Sequence, residues 1–156
     1  VVRYVLETCN NVEEAIEVFR RVPVHLDYNI ALVDKAGNHS TVFIAPDRDI
    51  CVSHATTSTN HQGPTEPGKP VFLEDSITRL DALNRIAAQQ ETTLQETVAP
   101  FLYPPLYRQH DAHSSGTLYT VVYLPAEGQV SYLWPHKSLN LSFDLFPEQT
   151  LDIHYA

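Results

Sequence analysis

Apolar residues recur at Val1, Val2, Val5, Leu6 and Cys9, which fits one face of a helix, until Asn10-Asn11 breaks the rhythm. Asn11 reads as the N-cap of a second helix, with Glu14 three residues on in a capping-box arrangement. That helix is predicted from about Val12 to Arg20, with Val12, Ala15, Ile16 and Phe19 inward. Arg20 and Arg21 suit its negative end, and Pro23 stops it. The pattern then changes to β. Tyr28–Val33, Thr41–Ala45 and Ile50–Ala55 are rich in β-formers, and Gly37 and Pro46-Asp47 sit in turns between them. Three strands joined by tight turns predict an antiparallel meander.

Gly63, Pro64, Pro67, Gly68 and Pro70 mark an irregular loop, across which we place no domain boundary. Asp75 or Ser76 is expected to cap a helix with Ile77, Leu80, Leu83 and Ile86 on one face. Thr93 with Glu96 opens a short helix that Pro100, Pro104 and Pro105 end, and His110–Gly116 reads as a loop. Leu118–Leu124 and Gln129–Trp134 form a hairpin around Pro125–Gly128, with Val130, Tyr132 and Trp134 on a buried face. The tail from Phe143, with Leu145, Phe146, Leu151 and Ile153, is expected to pack back as an irregular cover. Helices, strands, helices, strands in that order predict an α+β fold with antiparallel sheet.

Composition narrows the function. Ten basic against 19 acidic side chains give a formal net charge of -9, which repels phosphate backbones. Nucleic acid and anionic membranes are therefore poor partners, and no apolar run is long enough to span a bilayer. Cys9 and Cys51 match no metal or redox spacing. Each has apolar neighbours and reads as a small core hydrophobe, which fits a reducing compartment such as the cytoplasm without fixing it. The sequence has no Met, and its helical rhythm starts without a cap. The expectation is that the chain continues upstream.

The candidate chemistry sits in four places. Asn60, in Thr59-Asn60-His61-Gln62, follows a strand and precedes a glycine-proline loop, where an amide can aim its NH₂ at a developing oxyanion. Ser76 and Arg79 are three apart and share a helix face, where an arginine can hold a carboxylate. His110, Asp111 and His113 contain metal-ligating side chains but no fixed third ligand, so no metal is assigned. Cys9 and Cys51 are nucleophile types in apolar settings. On spacing alone, each of these favours a local structural role, and no cofactor motif is present.

Longer phrases add to this. Arg3-Tyr4-Val5-Leu6-Glu7-Thr8, Val12–Ile16, Val22-Pro23, Asp34-Lys35-Ala36-Gly37, Thr59-Asn60-His61, Ser76–Leu80, Thr117–Tyr123, Trp134-Pro135 and Ser142-Phe143 occur in order along the chain. Together they resemble the penicillin-acyltransferase-like and choloylglycine-hydrolase-like family of N-terminal-nucleophile hydrolases. The resemblance implies an αββα four-layer sandwich, of which residues 1–156 would be the C-terminal part of one domain. It also implies a cysteine freed by self-cleavage that attacks a linear amide, such as a small-molecule acyl amide, through an acyl-enzyme. Asn60 would donate to the oxyanion and Arg79 would support the nucleophile pocket, with His61 and Ser76 beside the substrate. Val1 is no nucleophile, so the cysteine would belong to an upstream part of the same precursor. No cofactor is implied, and a homo-oligomer is compatible with the reading. A non-catalytic acyl-ligand-binding protein of the same fold and a histidine metal-binding module are the alternatives.

Overall fold

The computed structural model describes residues 1–62, 71–89, 91–109 and 116–155. The elements in chain order are α1 (Val2–Thr8), α2 (Val12–Arg21), β1 (Tyr28–Val33), β2 (His39–Ala45), β3 (Arg48–Ser53), α3 (Val71–Ala87), α4 (Leu94–Val98), a 3-10 turn (Ala99–Leu102), β4 (Thr120–Leu124), β5 (Gln129–Trp134) and β6 (Lys137–Ser142). They fall into two compact units, Val1–Asn84 and Arg85–Ala156. The fold is α+β, with two three-stranded antiparallel sheets.

In the first unit β1, β2 and β3 form the expected meander in sequential order. Tyr28 pairs with Ile44 and Val33 with His39. Gly37 makes the turn possible, since its φ of 86° lies where a side chain is unfavourable. Asp34 closes the same turn by accepting from the backbone N–H groups of Ala36 and Asn38 and from the Asn38 side chain.

Side chains alternate along a strand, so Ile30 and Leu32 of β1 share a face with Val42 and Ile44 of β2. This face packs against Val5 of α1 and Ala15, Val18 and Phe19 of α2. Asn29 alternates onto the opposite face of the sheet. The α2 N-cap differs from the expected capping box in one bond. Asn11 Oδ1 accepts from the Glu14 N–H at 2.9 Å, but Glu14 reaches back to the backbone N–H of Asn10 rather than of Asn11. That contact holds the Glu14 carboxyl below its ordinary range. Ile16, expected inward, is only half-buried, and Val18, not among the expected inward residues, is buried with Val12, Ala15 and Phe19.

Three further expectations need correction. α3 begins at Val71, so Asp75 and Ser76 lie inside the helix rather than capping it. The run Val71-Phe72-Leu73 already belongs to the helix. Cys51 is exposed, while Cys9 packs at the rim of the core. The α1 face is thinner than its periodicity suggests: Val5 is buried, whereas Leu6 is 79% exposed. The glycine-proline loop and the His110–His113 stretch lie outside the described residues.

In the second unit Thr93 and Glu96 make a full capping box for α4. β4 and β5 form the expected hairpin, with Gly128 at φ 65° in its turn. Trp134 is buried and its indole N–H donates to the Leu118 carbonyl at 2.8 Å. β6, from Lys137 to Ser142, is an addition to the predicted elements. It pairs antiparallel with β5, and its Leu139 and Leu141 register with Tyr132 and Val130. Leu151 and Ile153 of the tail are half-buried, whereas Phe143, Leu145 and Phe146 are exposed. Phe143 follows β6 beside the β4–β5 turn, where its backbone N–H donates to the Gly128 carbonyl at 3.2 Å.

Candidate functional site

The chain leaves β3 at Ser53 and crosses toward α3 through Thr59, Asn60, His61 and Gln62. Four side chains fix this crossing within the first unit. From β1, the Asn29 amide donates one proton to the Thr59 carbonyl at 2.6 Å and the other to the His61 carbonyl at 3.1 Å. These two carbonyls flank Asn60. From the crossing itself, Gln62 Nε2 donates to the Tyr28 carbonyl at 3.0 Å and the Ile44 carbonyl at 3.4 Å, which ties it to the end of the β1–β2 ladder. Gln62 Oε1 is buried and accepts nothing among the described residues.

From α3, Ser76 lies beneath the crossing and is fully buried. Its Oγ accepts from the His61 backbone N–H at 3.2 Å and lies 2.8 Å from His61 Nδ1 and 3.0 Å from Thr59 Oγ1. Thr59 in turn donates to the Ser76 backbone carbonyl at 3.0 Å. A serine has one hydroxyl proton, so it serves either Thr59 or His61 at a given moment. When it points to Thr59, His61 carries its proton on Nδ1 and donates to Ser76. When it points to His61, the imidazole proton sits on Nε2.

One turn along α3 from Asp75, Arg79 donates through Nε to Asp75 Oδ2 at 3.1 Å and through Nη2 to Asn60 Oδ1 at 2.8 Å. A guanidinium has donors only, so the Asn60 atom facing it must be the oxygen. This fixes the flip of the amide. Asn60 Nδ2 points the other way, and it donates to no described residue. Asn60 is exposed, while the Arg79 side chain is only 22% exposed and braced by Asp75.

The four residues singled out in the sequence thus lie together as two linked pairs, Asn60 with Arg79 and His61 with Ser76. Chemically they offer an exposed amide donor held by a braced cation, beside an imidazole of defined partners. Ser76 is sealed beneath them and bears on the site through His61 and Thr59. Asn29, Gln62 and Asp75 also hold the site, and sequence reasoning misses them. An amide amid the β-formers of Tyr28–Val33 is the available signal for Asn29. Among the described residues no group of three or more His, Cys, Asp or Glu side chains is placed to hold a metal.

In the second unit a cavity of about 170 Å³ is lined by residues that include Tyr107, His136, His154 and Tyr155. Burial, with Tyr155 alongside, pushes the Tyr107 phenol upward. Asn60, His61, Ser76 and Arg79 are not among the residues that line this cavity.

Residues 1–139 match the family model described as acyl-coenzyme A:6-aminopenicillanic acid acyl-transferase. No curated protein and no solved structure matches the chain.

Proposed function

Because this chain belongs to the acyl-coenzyme A:6-aminopenicillanic acid acyl-transferase family, we propose that it forms the oxyanion side of an acyl-transferring enzyme. The enzyme uses a cysteine N-terminal nucleophile, which an upstream part of the same precursor supplies after self-cleavage. The substrate is a small molecule with a linear acyl amide or a related acyl group. The thiol gives its proton to the α-amine of the same cysteine, and sulfur attacks the acyl carbonyl. The carbonyl oxygen becomes an oxyanion, and Asn60 Nδ2 donates to it. The C–N bond breaks as the amine proton passes to the leaving nitrogen, which leaves a thioester. Water or a second amine then takes the acyl group and restores the thiol.

The observation that carries this reading is the Arg79–Asn60 bond, together with the family match over residues 1–139. An oxyanion donor has to be aimed before the charge develops, since reorientation during the reaction would cost the stabilisation it provides. Arg79 aims the amide by occupying its oxygen. Its positive charge also favours negative charge nearby. His61 stands next to this donor and would contact the acyl or amine portion, with Ser76 fixing its ring. On this reading the two sheets form part of the four-layer sandwich of the N-terminal-nucleophile hydrolases, within one domain. No cofactor takes part.

The test is mass spectrometry of the precursor-derived enzyme after incubation with acyl amides and acyl thioesters. The expected result is an acyl adduct on a processed N-terminal cysteine, with release of the amine or thiol. An enzyme that turns over without an adduct on cysteine, or that shows no self-cleavage, overturns the proposal.

A further inference from the structure

We infer that Asn29 is the positioning residue of this site, setting the place of Asn60 while contacting no substrate itself. The inference rests on the oxyanion role proposed for Asn60 and extends it to a strand that carries none of the residues singled out in the sequence. Asn60 is exposed and lies on a crossing segment outside any helix or strand. Arg79 fixes which way its amide is flipped, but a side-chain contact does not fix where the backbone stands. That requirement falls on the peptide groups to either side. Both of their carbonyls, Thr59 at 2.6 Å and His61 at 3.1 Å, are taken by the two protons of the Asn29 amide.

Three features make Asn29 suited to this. Its amide carries two coplanar N–H donors on a stem short enough to stay rigid. Its backbone is held in the ladder opposite Phe43, so the anchor point moves with the sheet. It sits one residue from Tyr28, whose carbonyl receives Gln62 at the end of the same crossing. Residues 59 to 62 are therefore fastened to adjacent residues of one strand. A site group displaced by about 1 Å can lose on the order of 10²-fold in rate, so a clamp of this kind bears on turnover and not only on stability.

The experiment compares Asn29→Ala and Asn29→Asp in the full-length processed enzyme, each alone and in an Asn60→Ala background. Asn29→Asp keeps the shape but replaces the nitrogen that donates both bonds with one acceptor oxygen facing two carbonyls. The expected result is a fall in kcat of about 10- to 100-fold with KM changed by no more than about twofold. On the Asn60→Ala background the same changes should cost little more, because the group they position has gone. Losses that multiply in the double variants would make Asn29 a general structural residue and overturn the inference, as would wild-type kcat in both single variants. NMR of the Asn60 side-chain NH₂ and of the Asn60 and His61 backbone amides provides a second readout. Those signals should shift and lose order in the Asn29 variants while the amides of α2 stay unchanged. Unchanged Asn60 signals overturn the inference. If Asn60→Ala itself keeps wild-type turnover, the oxyanion role fails, and the NMR arm alone decides whether Asn29 holds Asn60.

Discussion

Arg79 Nη2 donates to Asn60 Oδ1 across 2.8 Å while Arg79 Nε is tied to Asp75 at 3.1 Å. The two bonds leave the planar guanidinium little freedom, and the amide it faces inherits that order. Lysine cannot replace this arrangement, since an ammonium is a point charge without a rigid fork.

Arg79→Lys and Arg79→Ala should therefore both lower kcat by about tenfold or more, with KM nearly unchanged, because the donor is lost chiefly in the transition state. Steady-state kinetics on the processed enzyme checks this. Wild-type kcat in Arg79→Lys would show that charge alone suffices and that the fork does not aim Asn60.

Ser76→Ala should destabilise the first unit. The Ser76 hydroxyl is fully buried and engages the His61 N–H, His61 Nδ1 and Thr59 Oγ1. Removing it strands half-buried partners at a cost of about 1–3 kcal/mol. Chemical denaturation should show a lower midpoint with an unchanged slope, and an unchanged midpoint would mean that water replaces the hydroxyl without loss.

The meander is legible in the sequence because its signals agree: β-rich runs, Gly37 at a positive φ and Pro46-Asp47 in the second turn. β6 is not, because Lys137-Ser138-Leu139-Asn140-Leu141-Ser142 has two apolar residues and few β-formers. What places it is pairing to β5, which sequence pattern does not reveal. Sequence reasoning starts α3 too late because Asp75 and Ser76 are good capping types, and a local preference cannot show that the helix has already begun. Asn60 and Arg79 emerge from ordered family phrases, since spacing alone favours a polar turn and a solvated arginine. Asn29 leaves only the trace of an amide amid β-formers, which reads as ordinary surface. Its partners lie 30 and 32 residues away in the chain.

Gly37→Ala and Gly128→Ala should cost similar amounts, although their surroundings differ. Gly37 has φ 86°, and a Cβ added there would meet nothing within 4 Å, so the cost is conformational alone. Gly128 has φ 65°, and the Phe143 ring lies 3.0 Å from where a Cβ would sit. Phe143 is 89% exposed, however, so its ring can swing aside. Each substitution should destabilise by about 1–2 kcal/mol, the range for a side chain forced into the left-handed region. Thermal unfolding compares the two, and a much larger loss at Gly128 would show that Phe143 is held in place.

Asp34 gives a pH-dependent contribution of known sign. Bonds from the Asn38 side chain first, then from backbone N–H groups of Asn38, Val12 and Ala36, hold its carboxyl below the ordinary 3.8. The folded state therefore prefers the ionised form more than the unfolded state does. That stabilisation is fully present above the ordinary value and is lost as pH falls from there through the lower folded value. Asp34→Ala should be less stable than the parent at neutral pH, and the gap should narrow in acid below 3.8. Denaturant midpoints across that range test it; a constant gap would assign the effect to neutral hydrogen bonding.

The sharpest test of the site is the comparison of Asn60→Asp with Asn60→Ala. Alanine removes the donor and should cost about 10²–10³ in kcat, the usual loss for one oxyanion donor. Aspartate is close to isosteric, and Arg79 at 2.8 Å from the present Oδ1 would pair with it readily. The folded protein should therefore tolerate Asn60→Asp as well as Asn60→Ala or better. Its turnover should nevertheless be lower, because the atom that replaces Nδ2 is an acceptor bearing negative charge where the oxyanion must form. Stability and activity then move in opposite directions between the two variants. A residue that merely shaped a turn would not separate them in this way, since loss of activity would follow loss of folding. Both variants should be made in the full-length precursor, checked for self-cleavage, and compared by denaturation and by kcat on one acyl substrate. Equal kcat in the two variants, or higher kcat in Asn60→Asp, would remove Asn60 from the oxyanion.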